Sequence, residues 1–322
     1  MEKEKDIKVN RILNIYSKLI KGEIINKKES AELFNVSEKA IQRDIEDIRS
    51  FFYENRTLLG NQDVVYKRSK NGYFLDSTGE VLTKEAILVL MKILLESRAL
   101  CKDEISYISK ALMGQVSLEQ RKSIDKIIGN ELFNYVPTQH SDYLLSKMWD
   151  ISECIRGREV IEISYINMKN IEGTRKIRPV SIIFSEYYFY LIAYINDFES
   201  PTVFRIDRIK SFKKVKERFL IPESNRFEDG EFRKRIQFMY SGKLQKIKFE
   251  FWGSSIEAVL DRVPTAKIVD KYDNKYLVEA EVYGKGIIMW ILSQGSKIKL
   301  LEPKEFVNEL IEQIDCMKEN YK

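Results

Sequence analysis

The chain has 322 residues, of which 44% are hydrophobic, and it carries 54 basic against 49 acidic side chains. Its length suggests two to four domains, and its hydrophobic content excludes wholesale disorder. A net charge of +5 permits nucleic-acid binding without arguing for it, so the local distribution of charge has to decide.

The cysteines and the apolar runs indicate where the protein resides. Cys101, Cys154 and Cys316 are far apart and odd in number, which suits a reducing cytosol and gives no metal-ligand spacing. The N-terminal MEKEKDIKVN has no apolar segment of the kind found in signal peptides. The longest apolar runs, such as residues 189–195, are too short to span a bilayer. We expect a soluble cytoplasmic protein that has no membrane contact.

Residues 1–76 are predicted to form a winged helix-turn-helix domain. The spacing of apolar residues predicts helices over residues 8–21, 27–34 and 38–53, and Ser37 is a good N-cap for the third. In the helix-turn-helix plan the last helix lies in the major groove of DNA. The side chains expected to reach bases and phosphates lie at the start of that helix: Ser37, Lys39, Gln42 and Arg43.

A basic hairpin is predicted next, with short strands over residues 64–68 and 73–75. Asn71 and Gly72 between them are a strong hairpin signal, because both residues accept a positive φ. Such a hairpin is expected to lie against the DNA backbone as a wing. The residues expected to make these contacts are Lys67, Arg68, Lys70 and Asn71.

The run AIQRD at residues 40–44 resembles the recognition helix of DeoR-type winged helices, with alanine where that helix often has threonine. The resemblance implies DNA binding by the domain. The local pattern also fits a three-helix packing module with a solvated basic edge.

Residues 77–157 are predicted to form a helical linker domain that connects the DNA-binding domain to an effector-binding domain. Thr83 caps its first helix. Three further helices are predicted, over residues 102–113, 117–129 and 142–155.

Three β-strands follow, over residues 176–184, 188–195 and 203–209, each rich in β-branched and aromatic side chains. Alternation makes the second run apolar on both faces, which predicts a central strand that is covered on both sides. The third run carries Arg205 and Asp207 on one face and Arg208 on the other. Charges at the end of so apolar a sheet are costly unless they pair or meet an anion.

Two of these runs resemble the signature of the WYL domain family. The tripeptide FYL at residues 189–191 stands where the family has Trp-Tyr-Leu, and FRIDRI at residues 204–209 matches its second motif. The resemblance implies a small SH3/Sm-like β-barrel over residues 158–217. It also implies effector-binding side chains: Tyr165, Ser181, Tyr190, Arg205 and Arg208.

Arginine offers a rigid fork of donors to phosphate or carboxylate, and Tyr190 adds a stacking face. Asp207 could instead pair with an arginine as an internal strut. We expect both, with Asp207 orienting one arginine and the other arginine meeting an anionic effector. A mononucleotide, a cyclic or short oligonucleotide and single-stranded DNA all carry the required phosphate.

Residues 218–243 are predicted to be a linker with a helix. Residues 244–322 show the order β-α-β-β-α-β followed by a helix, which is the ferredoxin-like order. This segment resembles the WCX extension that often follows WYL domains. The predicted fold class is therefore multidomain α+β: winged helix-turn-helix, helical linker, SH3/Sm-like barrel and ferredoxin-like domain.

The predicted domains and their resemblances together indicate a ligand-responsive transcriptional regulator that binds a double-stranded DNA operator as a homodimer. We predict no enzymatic activity, because the sole histidine, His140, lies in a loop and no phosphate-binding or nucleophile motif is present. No cofactor and no metal are expected. The alternative is an RNA- or single-stranded-DNA-binding accessory protein of nucleic-acid metabolism or phage defence, without promoter specificity.

Overall fold

A computed structural model gives the fold of this mixed α+β chain. It describes residues 2–55, 62–77, 82–139, 143–195, 201–221 and 227–322. These residues form eleven α-helices and three antiparallel sheets. They divide into two compact units, Met1–Arg98 with Lys102–Val136, and Ala99–Cys101 with Pro137–Lys322. No helix within these ranges is long and apolar enough to cross a membrane.

The first unit begins with three helices and a two-stranded sheet: α1 Glu2–Ile20, α2 Lys27–Leu33, α3 Glu38–Glu54, β1 Gln62–Lys67 and β2 Gly72–Ser77. Ser37 caps α3 as predicted, since its hydroxyl accepts a hydrogen bond from the Ala40 amide at 3.3 Å. One face of α3 is buried through the side chains Ile41, Ile45, Ile48 and Phe52. Burial of this stripe orients the opposite face of α3 toward solvent.

A buried ion pair joins α1 to α3. Arg11 binds both carboxylate oxygens of Asp44, with Nη2 donating to Oδ1 at 3.1 Å and Nε donating to Oδ2. The Asp44 side chain is only 1% exposed. The hydrogen bonds to Asp44 raise the pKa of Arg11, which favours the charged form of this arginine inside the unit.

In the hairpin, the first strand ends at Lys67 and the second begins at Gly72, each one residue earlier than the predicted strand bounds. A four-residue connection joins the strands, with a 3₁₀ turn at Arg68–Lys70 and only Asn71 at positive φ (+46°). Gly72 already belongs to β2, and a Cβ atom there would collide with Ile24 and lie 3.1 Å from the Ile25 carbonyl oxygen. The glycine thus allows Ile25 and Tyr73 to exchange two backbone hydrogen bonds, of 2.8 and 2.9 Å.

Three further helices complete the first unit: α4 Lys84–Ser97, α5 Lys102–Met113 and α6 Leu118–Phe133. Thr83 caps α4 as predicted, by accepting from the Ala86 amide at 3.2 Å. The fourth predicted helix of this region is α7, Leu145–Arg156, which belongs to the second unit. The predicted start of that helix, residue 142, and the His140 loop lie outside the described residues.

The second unit contains a five-stranded antiparallel sheet in the order β6-β5-β4-β3-β7. Its strands are β3 Glu159–Ile166, β4 Glu172–Ser185, β5 Tyr188–Tyr194, β6 Thr202–Arg205 and β7 Ile209–Arg218. As predicted, β5 is covered on both faces: Leu191 packs with Ile151 of α7 on one side, and Ile192 packs with Phe232 of helix α8 (Asp229–Arg235) on the other.

The predicted strand over residues 203–209 is wrong beyond Arg205. Ile206–Arg208 forms a 3₁₀ turn, which packs against β5 and leads into β7. Strict alternation would have put Phe204 and Ile209 on opposite faces of one strand. The turn instead lets both enter the same buried core, and it changes the directions of Asp207 and Arg208.

The second unit ends in a four-stranded antiparallel sheet of order β11-β8-β10-β9. The elements are β8 Leu244–Phe251, α9 Ile256–Arg262, β9 Lys267–Tyr272, β10 Lys275–Tyr283, α10 Gly286–Ser293, β11 Ile298–Glu302 and α11 Lys304–Glu319. Their sequence is the predicted β-α-β-β-α-β followed by a helix. One face of the sheet carries an apolar core around Phe249, Trp290 and Phe306.

Candidate nucleic-acid and anion sites

The start of α3 presents two unengaged basic side chains. Lys39 and Arg43 are exposed and make no hydrogen bond with any residue that the structure describes. The Ser37 hydroxyl is used by the helix cap. Gln42 is half-buried, with Nε2 donating to Glu46 at 2.9 Å and Oε1 accepting from the Tyr73 hydroxyl at 2.7 Å. Of the four predicted contact residues, Lys39 and Arg43 are therefore the ones open to a ligand.

The hairpin is hydrogen-bonded to α3 beside these residues. Besides the Tyr73–Gln42 bond, Arg49 Nε donates to the Val64 carbonyl at 2.6 Å, and its guanidinium lies 5.7 Å from the centroid of the Tyr73 ring. Sequence reasoning missed both Tyr73 and Arg49. The local feature that could have indicated a role for Tyr73 is its position opposite Tyr66 in the hairpin, where the two ring centroids lie 5.1 Å apart.

Three basic side chains of the hairpin, Lys67, Arg68 and Lys70, are exposed. Asn71 is occupied by the turn, since its side-chain oxygen accepts from the Tyr66 hydroxyl at 2.9 Å and its carbonyl accepts from Asn26 at 3.1 Å. Asn71 thus builds the turn that carries the basic residues.

At the edge of the five-stranded sheet, Arg205 is held by Asp207. Nε donates to Oδ1 at 3.1 Å and Nη2 to Oδ2 at 2.5 Å, while the guanidinium carbon lies 3.4 Å from the centroid of the Tyr188 ring. Burial lowers the pKa of Arg205, but the hydrogen bonds and charge of Asp207 outweigh it and leave the pKa raised. With side-chain exposures of 17% and 5%, this pair is a fixed element of the sheet edge.

Arg208 stands in contrast, although it is only three residues farther along the chain. Its Nε and Nη1 atoms are buried, and they have no hydrogen-bond partner among the described residues. A buried donor that lacks a partner costs about 1–3 kcal/mol, and more when it is charged. The 3₁₀ turn thus holds a guanidinium with two buried nitrogens that the described residues leave without a hydrogen-bond partner.

The remaining predicted effector residues differ in their availability. The Tyr165 hydroxyl accepts from the Arg205 backbone amide at 3.4 Å, and its ring packs edge-on against Phe204. Tyr190 lies opposite Arg205 in the β5–β6 ladder. Ser181 is buried on the α8 side, where its hydroxyl donates to Asp229. Tyr188 was missed, although it shares a strand face with Tyr190 by the two-residue period.

Tyr190 gives this edge a pH dependence. Burial, the largest cause, raises the pKa of its hydroxyl to about 12. Unfolded chains ionise tyrosine near its ordinary value of 10, so the contribution of Tyr190 to stability is complete below about pH 10 and is lost as the pH rises toward about 12. Tyr190→Phe should lose less stability than wild type between about pH 9 and about pH 11, measured by urea unfolding.

Tyr321→Phe is the control for this comparison, because the Tyr321 side chain is 91% exposed. It should follow the wild-type pH profile. If Tyr190→Phe follows that profile too, the hydroxyl of Tyr190 titrates as an exposed phenol and the edge is more open than described.

In the part of the chain that the structure describes, no group of three or more His, Cys, Asp or Glu side chains could hold a metal ion.

Comparisons with known proteins bear on the segment that contains this edge. Residues 147–214 match the model of the WYL domain. No curated protein matches the sequence. Among solved structures, the proteasome accessory factor B/C (PafBC) of Arthrobacter aurescens is similar at 15% identity and a TM-score of 0.31, over 96% of this chain and 48% of that one. This chain therefore spans about half the length of the PafBC chain.

A second similar structure is a CRISPR Cas-related protein, at 12% identity and a TM-score of 0.35, over 76% of each chain.

The match to the family model covers α7 and most of the five-stranded sheet, including Arg205, Asp207 and Arg208. Residues 147–214 of this chain are accordingly a WYL domain.

Proposed function

We propose that the protein is a DNA-binding transcriptional regulator whose WYL domain senses a nucleotide or nucleic-acid-like anion. The first three helices and the hairpin form a winged helix-turn-helix that binds a double-stranded operator, and the protein acts as a homodimer on paired half-sites. It is a regulator rather than an enzyme. The strand orders of the two larger sheets support an SH3/Sm-like barrel and a ferredoxin-like WCX domain.

The observation that carries the DNA-binding half is the bond between the Tyr73 hydroxyl and Gln42. It fixes the basic hairpin against the half of α3 that exposes Lys39 and Arg43. One rigid surface therefore presents groups for the major groove and groups for the adjacent backbone.

The sensor half rests on Arg208. Two of its nitrogens are buried and have no hydrogen-bond partner in the described part of the chain, and phosphate oxygens suit a guanidinium fork. The Tyr188 and Tyr190 rings, 6.3 Å apart, supply aromatic surface for a base. Binding of the effector then favours one arrangement of the two winged helix-turn-helix domains in the dimer. This change of arrangement alters the affinity for the operator.

Genomic footprinting tests the proposal against its alternative. A regulator occupies discrete palindromic sites, with affinities well above non-specific binding. Diffuse binding that disappears with added salt would instead favour the accessory protein that lacks promoter targets.

Arg43→Ala should weaken binding to a footprinted operator by about 1–3 kcal/mol, because it removes a side chain that reaches base edges or phosphates. Fluorescence anisotropy over a range of salt concentrations measures the change.

The control is Lys110→Ala, which removes the positive charge of an exposed residue of α5, a helix with no proposed DNA contact. Its affinity should stay near that of wild type. Equal affinities for both variants at every salt concentration would remove Arg43 from the interface.

A further inference from the structure

A cavity of about 400 Å³ lies beside the four-stranded sheet of the second unit. It is enclosed by the loop between β8 and α9, by α9 itself, by the end of α10 and by the turn before β11. None of its lining residues belongs to the candidate nucleic-acid or anion sites. Its volume falls within the range of small-molecule sites, which is about 300–1,000 Å³. The cavity therefore has room for a small organic molecule.

The floor of the cavity is apolar. It is formed by Phe251 of β8, Val259 of α9 and Trp290 of α10, whose side chains are buried in the core of this part of the chain. A Cβ atom at Gly253 would collide with the Phe251 ring, so the glycine allows the loop after β8 to pass close to this ring. Such a floor favours contact with the apolar body of a ligand over contact with water.

The charged side chains that line the cavity are both positive. They are Arg262 and Lys297, and no carboxylate of the described residues lines the cavity with them. Arg262 donates through Nη2 to Glu186 at 3.0 Å, so its charge is already paired. Lys297 is exposed and forms no ion pair within the described ranges. A cleft lined by one sign of charge attracts a ligand of the opposite sign, and Lys297 is the cation that such a ligand would meet.

The position of Lys297 is set by its backbone. The residue ends the 3₁₀ turn Gly295–Lys297, and its carbonyl oxygen accepts a hydrogen bond from the Trp252 amide at 3.0 Å. This bond joins the turn to the loop after β8, on the other side of the cavity. The side chain of Lys297 thus begins from a fixed point on the rim.

Trp290 supplies a second hydrogen-bond donor. The Ser255 hydroxyl is used by the cap of α9, where it accepts from the Ala258 amide at 3.2 Å, and the Ser293 hydroxyl donates to the Trp290 carbonyl oxygen at 2.6 Å. The Trp290 indole N–H makes no hydrogen bond with the residues that the structure describes, although Trp290 is only 6% exposed. Indole N–H groups that are buried to this extent usually have a partner, and an acceptor on a ligand would provide one.

We propose that this cavity binds a small organic monoanion, whose acid group meets Lys297 and whose apolar body lies on Phe251, Val259 and Trp290. The donors and the single sign of charge select an acid, and the floor selects an aromatic or branched body. This site is separate from the proposed sensor at Arg208 and does not depend on it.

Ligand-observed NMR titration of the full chain with cinnamate and with its neutral analogue, cinnamyl alcohol, tests the proposal. Wild type should bind cinnamate more tightly than the alcohol, because only cinnamate has a charge that meets Lys297. Lys297→Ala should weaken cinnamate binding by about tenfold, the range of a hydrogen bond between charged groups, and leave the alcohol within about twofold. Lys297→Arg keeps the positive charge and should retain the preference for cinnamate.

Lys299→Ala is the matched control, since it removes the positive charge of an exposed residue of β11 that does not line the cavity. It should bind cinnamate like wild type. Arg208→Ala should do so as well, because the sensor is a different site.

Three results would overturn the proposal: no binding of cinnamate to wild type, equal affinities for cinnamate and the alcohol, or unchanged cinnamate binding by Lys297→Ala. Each of them would leave the sensor at Arg208 in place. Loss of cinnamate binding in Arg208→Ala, with Lys297→Ala unaffected, would instead place the probe at the sensor.

Discussion

Asp44→Ala is expected to destabilise the first unit by about 3–5 kcal/mol, because it leaves the buried Arg11 guanidinium without a partner. The pair joins α1 to α3, so its loss loosens the helix that presents Lys39 and Arg43. Urea unfolding of the full chain, followed by far-UV circular dichroism, should show an early transition in the variant that wild type lacks.

A second ion pair between the same two helices provides the control. Lys8 and Asp47 lie 2.9 Å apart with side chains 50% and 51% exposed. Asp47→Ala should cost no more than about 1 kcal/mol, as exposed pairs do. If the two variants lost the same small amount, the Arg11–Asp44 pair would be solvated in solution and would not hold α3.

Arg208→Ala is expected to weaken effector binding by about 10-fold to 150-fold, which corresponds to the loss of a charge-assisted hydrogen bond. Its stability should fall by no more than about 1 kcal/mol relative to wild type, because the substitution removes two buried donors that have no partner among the described residues. Calorimetric titration with the effector and urea unfolding measure the two quantities on the same preparations.

Asp207→Ala should behave in the opposite way. It leaves Arg205, with a side chain only 17% exposed, without its bidentate partner, and should cost about 3–5 kcal/mol of stability. Should Arg208→Ala unfold as readily as Asp207→Ala, Arg208 would be a second strut and its unpaired nitrogens would have no role in recognition.

Features of the fold that depend on near neighbours could be predicted from the sequence. The Ser37 cap and the buried stripe of α3 follow from contacts three or four residues apart, and the double burial of β5 follows from a two-residue alternation. The 3₁₀ turn at Ile206–Arg208 interrupts the separate two-residue alternation that the sequence predicts for residues 203–209. It was missed because a run of apolar and charged residues also fits a strand.

Side chains whose partners are distant in sequence escaped prediction. Gln42 was assigned to bases, but its amide meets Tyr73, which is 31 residues away. Ser181 meets Asp229, at a separation of 48, and Glu186 meets Arg262, at a separation of 76. No periodic pattern encodes such pairs, because the packing of whole elements decides them. The Arg205–Asp207 pair, two residues apart, was within reach.

The central claim is that Arg208 holds a phosphate-bearing molecule, and it can be tested without knowing which molecule. Wild-type protein and Arg208→Ala are purified from the host under identical conditions and denatured with acid, and the phosphate released per chain is measured. Wild type should release phosphate that the variant lacks. Equal release from both proteins, or none from either, would contradict the claim.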